Sequence, residues 1–175
     1  MIFDTEEIKK YILDHPDARI IIGGDSQKIS RKKRHNKDSK DKKSKPQKVA
    51  RFVTCVIVYQ KDQNKIFFEV STENDFDHNP ARPQMRMMQE TQKITDIATQ
   101  IMDVMYDRDF EIHLDINKNP AHGSNCALGQ ATGYVWGLLG VEPIVKPDSW
   151  AASTVADWIV KNNSKVLNFQ HKDDK

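Results

Sequence analysis

Four acids, Asp25, Glu90, Asp115 and Asp157, lie where solubility alone does not explain a carboxylate. Asp25 follows the apolar run "RIIIGG", and Asp115 lies within "FEIHLDIN", a second apolar-rich run. An ionised carboxylate beside buried strand is costly unless something pairs with it, and a metal ion is one such partner. The plainer reading of Asp25 is a turn, since Gly-Gly-Asp-Ser is good turn chemistry. For Asp115 the plainer reading is a half-exposed strand: Ile112, Leu114 and Ile116 share one face, and His113, Asp115 and Asn117 share the other.

Glu90 is the sharper case. It stands three residues after Met87 and four before Ile94, on the apolar stripe of a helix. A glutamate aimed at a sheet needs a partner, unless it snorkels outward or complements the helix dipole. Near the end of the chain, Asp148 is explained as a cap or turn residue. Asp157, between Ala156 and Trp158, is explained by neither. Acids gathered from four elements suit hard divalent cations with oxygen ligands, Mg²⁺ or Mn²⁺. Two such ions about 3.5–4 Å apart can activate a water and stabilise the leaving oxygen of a phosphodiester.

The elements that must position these acids are legible in outline. Ile8, Tyr11 and Ile12 predict a helix over Asp4 to Asp14, stopped by Pro16. Ala18 to Gly24 reads as a short strand. "RFVTCVIVYQ" and "KIFFEVST" read as two more, joined by a turn at "KDQN". After the turn-rich "TENDFDHNPARP", Met87, Ile94, Ile97, Ile101 and Met105 predict a long helix over Pro83 to Tyr106. A strand over Phe110 to Ile116, a helix over Cys126 to Leu139, a strand "VEPIVK" and a helix over Ala151 to Lys161 complete the core. The order is βββαβαβα behind an extra N-terminal helix. It predicts an α/β fold, a mixed five-stranded sheet with helices on both faces. Asp25 and Asp115 then point to the crevice outside the strand ends, provided their strands are neighbours.

At 175 residues the chain fits one domain over 1–175. The net charge of +2 hides an asymmetry: Lys28 to Arg51 holds twelve Lys or Arg against two acids. That block predicts a flexible basic insertion loop over 28–50, suited to phosphate backbones by charge and not by sequence. Lys32, Lys33, Arg34, Lys42 and Lys43 are its candidate substrate contacts. With little aromatic interleaving, it is poorly suited to base stacking. Two unpatterned cysteines give no disulfide framework or zinc site. The acidic amphipathic start is no signal peptide, and no apolar window reaches spanning length. A cytoplasmic protein with no membrane partner is expected.

Three stretches, "IIIGGDSQ", "HLDIN" and "VKPDSWAASTVADWIVK", resemble the RNase H-like superfamily. Within it the chain is most similar to the YkuK-like family of predicted RNase H-related nucleases, near the RuvC/YqgF group. The likeness spans Arg19 to Lys161, with the basic block as an insertion. It implies an RNase H-like fold with an Asp on the first strand, a Glu on the first core helix, an Asp on the fourth strand and an acid on the last helix. On this sequence those are Asp25, Glu90, Asp115 and Asp157, and the "VAD" context favours Asp157 over Asp148. Ser26 follows Asp25 where many ribonucleases H carry glycine.

The implied activity is metal-dependent cleavage of RNA, an RNA–DNA hybrid or structured DNA, with two Mg²⁺ or Mn²⁺ ions. Asp25 and Asp115 hold both ions, Glu90 holds one ion and the water, and Asp157 completes the second site. Lys146, ending the fifth strand, is a candidate contact for the scissile phosphate or a snorkelling lysine. His122 is a candidate proton shuttle or an exposed loop histidine. The alternative is a non-catalytic nucleic-acid-binding accessory protein with the same fold, since a shared fold does not guarantee shared function.

Overall fold

The computed structural model describes residues 4–31, 47–61 and 63–162. Helix α1 (Thr5–Asp14) opens where the Asp4 side chain accepts from the amides of Glu6 and Glu7, both at 3.1 Å. Strands β1 (Arg19–Arg31), β2 (Gln47–Gln60) and β3 (Gln63–Asn74) form an antiparallel meander, with Gln60 opposite Gln63 at the second turn. Helix α2 (Gln84–Gln100) leads to β4 (Phe110–Asn117). Helix α3 (Leu128–Leu139) then precedes the short β5 (Ile144–Lys146). The last helix, α4, begins as a π-helical turn over Ala151–Ala156 and continues as α-helix over 157–162.

The sheet order is β3-β2-β1-β4-β5. β1 pairs with β2 antiparallel and with β4 parallel, and β4 pairs with β5 parallel. The expected mixed five-stranded α/β sheet is therefore present, with β1 and β4 as neighbours.

Strand alternation divides the core. On one face Ile20, Ile22, Val56, Val58, Ile112, Leu114 and Ile116 pack under α1, α2 and α3 through residues such as Ile8, Ile94 and Val135. On the other, Ile21, Val53, Cys55 and Ile57 pack under α4 through Ala151, Ala156, Ile159 and Val160. Each fully buried isoleucine contributes roughly 1.5–3 kcal/mol. No described helix is long and apolar enough to cross a membrane.

Several boundaries differ from the sequence expectation: α2 ends at Gln100 and not at Tyr106, and β5 starts at Ile144 and not at Val141. β1 does not stop at Gly24; it ladders to β2 as far as Arg31 opposite Gln47. Both ends of the basic block, expected as loop over 28–50, are therefore strand. Composition hides this, because the hydrogen-bonded ladder and the neighbouring strand hold Lys- and Ser-rich segments that propensity alone would leave out. Lys32, Lys33, Arg34, Lys42 and Lys43 lie outside the described residues.

Candidate active site

β1 and β4 carry their aspartates to one place by register. Their last paired residues are Gly23 and His113, and Asp25 and Asp115 each stand two residues beyond that rung. Both side chains follow the parity of Ile21 and His113, so they lie on the face that α4 covers. Gly24 and Ser26 take the opposite parity, toward α2. A Cβ on Gly24 would lie 2.9 Å from the carbonyl oxygen of Val53 and 3.0 Å from Cδ1 of Ile94. Glycine there lets α2 close onto β1 beside the aspartate.

That close approach brings in Glu90. Its side chain is only 2 % exposed, as its place on the apolar stripe predicts. The Ser26 hydroxyl donates to Glu90 Oε2 at 2.7 Å. Arg86, one helical turn earlier, donates through one guanidinium nitrogen to the Ser26 hydroxyl at 2.8 Å and to the Ser26 carbonyl. The helix start that places Arg86 is held by the buried Asp77 carboxylate, which accepts from the amides of Met85 at 2.8 Å and Arg86 at 3.2 Å.

The electrostatics bind the acids into one group. Burial pushes the Asp25 carboxyl up to about 7; the charges of Asp115 and Asp157 add to the rise, against the Ser26 amide and Lys146. Burial pushes Glu90 up to about 8; Asp25 and Asp115 raise it further, while Ser26 and Arg86 oppose. Asp25 is thus close enough to Asp115, Asp157 and Glu90 for their charges to repel, and Glu90 is close enough to Asp115. Asp148 is not among these neighbours. It is exposed, and its carboxylate lies 3.5 Å from Lys118.

Two lysines meet the cluster. Lys146 Nζ lies 2.6 Å from Asp115 Oδ1, and Lys161 Nζ lies 2.6 Å from Asp157 Oδ2. Lys146, a candidate phosphate contact or snorkelling lysine from the sequence, is paired with Asp115. The cause is a register irregularity in β4: Leu114 faces Val145, yet Asn117 faces Lys146, so the last residue of β5 meets the Asp115 side of the strand.

His113, also on this face, is fully buried. Its Nδ1 accepts the Ala151 amide at 3.2 Å and its Nε2 lies 3.0 Å from Glu111 Oε2, which places the proton on Nε2. Burial, only partly opposed by Glu111, pulls its pKa below the ordinary value. A neutral imidazole therefore ties β4 to the start of the helix that carries Asp157.

The donors are hard oxygens, the class that Mg²⁺ and Mn²⁺ take. Among the described residues no three His, Cys, Asp or Glu side chains are already arranged around a common ion position. Lys146 and Lys161 engage one oxygen each of Asp115 and Asp157, and Ser26 engages one of Glu90. The chemistry of the set fits a divalent cation, which would offset the burial and the repulsion that raise Asp25 and Glu90.

Sequence reasoning missed Arg86, His113 and Lys161 as parts of this arrangement. Spacing carried a signal for each: Arg86 and Glu90 are four apart on α2, Asp157 and Lys161 four apart on α4, and His113 and Asp115 two apart on β4. His122 is exposed and lines a hollow with Ala81, Arg82 and Asn125, which none of the four acids borders.

A family model described as Ribonuclease H-like matches residues 38–161. It takes in Glu90, Asp115 and Asp157 and begins after Asp25. No curated protein matches the chain, and no solved structure matches it. The sheet order fits this family's fold as the sequence led us to expect.

Proposed function

Since the chain belongs to the ribonuclease H-like family, whose fold points to work on nucleic acids, we propose that it is a metal-dependent nuclease hydrolysing phosphodiester bonds. The observation that carries this reading is that Asp25 and Glu90 lie within charge range of each other and of Asp115, and Asp25 of Asp157 as well, near the ends of the central strands. There the first two are held above their ordinary pKa values by burial and by the other acids. Such perturbed, converging groups are characteristic of functional sites. Within the family, the "DSWAASTVAD" stretch supports a place in the YkuK-like branch.

Asp25 and Asp115, side by side on neighbouring strands, are the residues that would hold Mg²⁺ or Mn²⁺, with Asp157 reaching in from α4. Glu90, fixed by Ser26 and Arg86, would orient the water. A cation held there would supply Lewis-acid activation of the water and charge stabilisation of the departing oxygen. Two ions are the number we propose for four carboxylates. The substrate classes are RNA, an RNA–DNA hybrid or structured DNA, and the basic segment between β1 and β2 supplies charge for their phosphates.

One observation favours the second reading, a non-catalytic nucleic-acid-binding protein. Lys146 and Lys161 already neutralise two of the acids. Cleavage of labelled single-stranded RNA, RNA–DNA hybrid, duplex DNA and a four-way junction in Mg²⁺ and in Mn²⁺ separates the two. The nuclease reading expects cleavage by wild type that Asp25→Asn and Glu90→Gln abolish. Binding of a substrate with no cut in either metal replaces it with the accessory reading.

A further inference from the structure

The salt bridge between Lys146 and Asp115 says more about this site than that a lysine is nearby. Its 2.6 Å contact is half-shielded, with 34 % of the lysine side chain and 18 % of the aspartate side chain exposed. The same ammonium acts on Asp25, whose carboxyl it pulls downward against burial. Lys146 therefore pairs directly with Asp115 and also attracts Asp25, more weakly than burial and the neighbouring acids act on it. The two other lysine pairs nearby differ. Lys161 and Asp157 are four apart on one helix, and Lys118 and Asp148 are mostly exposed. Such pairs contribute little and are easily exchanged.

We propose that Lys146 is the built-in counter-ion of the central aspartates, which a divalent cation must displace from Asp115 in order to bind. This rests on the metal-dependent reading above and adds to it a residue that sets the affinity. The backbone at Lys146 is anchored, since β5 is laddered to β4 and the Lys146 carbonyl accepts the Lys118 amide at 3.5 Å. The side chain is a flexible four-carbon stem with a compact charge, so it can withdraw without moving the strand. With Lys146 in place, an arriving cation meets an occupied oxygen and a like charge. With Lys146 removed, both obstacles vanish.

Binding of Mn²⁺ alone to the full chain, followed by the loss of the free-ion paramagnetic resonance signal, tests this without any turnover. Lys146→Met is expected to bind Mn²⁺ at least about tenfold more tightly than wild type, the scale of removing one unit charge from beside a divalent ion. Lys146→Gln repeats the measurement should the methionine variant fold poorly. Lys146→Arg, which keeps the charge, is expected to restore wild-type affinity, and Lys118→Met to leave it unchanged. A lysine needed only to hold the site together would give weaker binding in Lys146→Met and Lys146→Gln. That result, or unchanged affinity in both, overturns the proposal while leaving the metal reading standing. Absence of Mn²⁺ binding in every protein, or equal binding in Asp25→Asn, overturns both.

Discussion

Nδ1 of His113 accepts the backbone amide of Ala151 at 3.2 Å, so a buried imidazole on β4 fastens the first turn of α4. Because burial depresses its pKa, the neutral form is the one that fits. A depressed folded-state pKa gives stability that is full above the unfolded value of 6.5 and is lost as pH falls through the folded value. Urea unfolding should therefore show wild-type stability falling as the pH drops below about 6.5. His113→Phe should flatten that limb and cost about 1–3 kcal/mol at pH 7.5, through the lost bond and the unsatisfied Ala151 amide.

Asp25 and Glu90 have the opposite sign. Their folded-state values, about 7 and about 8, lie above the ordinary 3.8 and 4.5. Stability from a raised carboxyl is complete below its unfolded value and is lost as pH rises through the folded one. In chelator, melting temperature should fall between pH 5 and pH 8, and Asp25→Asn and Glu90→Gln should each melt several degrees above wild type at pH 8. Added Mg²⁺ should raise wild-type Tm more at pH 8 than at pH 5, because it binds the deprotonated acids. A flat wild-type profile in calorimetry would contradict the raised values.

Ser26 gives Glu90 its hydroxyl donor and takes one from Arg86. Ser26→Ala should cost about 1–3 kcal/mol, since it leaves a buried carboxylate oxygen without that donor. The hydroxyl favours the charged form of Glu90, so its loss should raise that carboxyl further. Mn²⁺ binding should then need a higher pH in Ser26→Ala than in wild type. A titration series from pH 6 to pH 9 measures the displacement.

Gly24→Ala places a methyl 2.9 Å from the Val53 carbonyl and against Ile94. Backbone on one side cannot give way cheaply, so the expected loss is about 1–3 kcal/mol in urea unfolding. Ile94→Val in the same chain should recover part of it by retracting the side chain on the other side.

The fold was legible where apolar pattern decided it. Ile20 to Ile22 marked the central strand, the alternation around Leu114 marked β4 and gave the parity of Asp115, and Met87 to Met105 marked the stripe that carries Glu90. The rest depended on partners. "SQKISR" and "QKVA" hold too little apolar surface to announce strands and are held by laddering to each other. The contact of Lys146 with Asp115 depends on the irregular pairing between Leu114 and Asn117, a tertiary detail with no local signature. The tie from His113 to Ala151 needed the cover of α4 over β4.

Where β4 leaves β1 after the rung at Gly23, the sheet opens, and a forked sheet exposes backbone that a strand would otherwise have matched. Arg86 answers at that point, one nitrogen reaching both the Ser26 carbonyl and the Ser26 hydroxyl. A single guanidinium on a helix thus acts as a prosthetic strand. It gives the main chain beyond the split a donor that β4 no longer supplies.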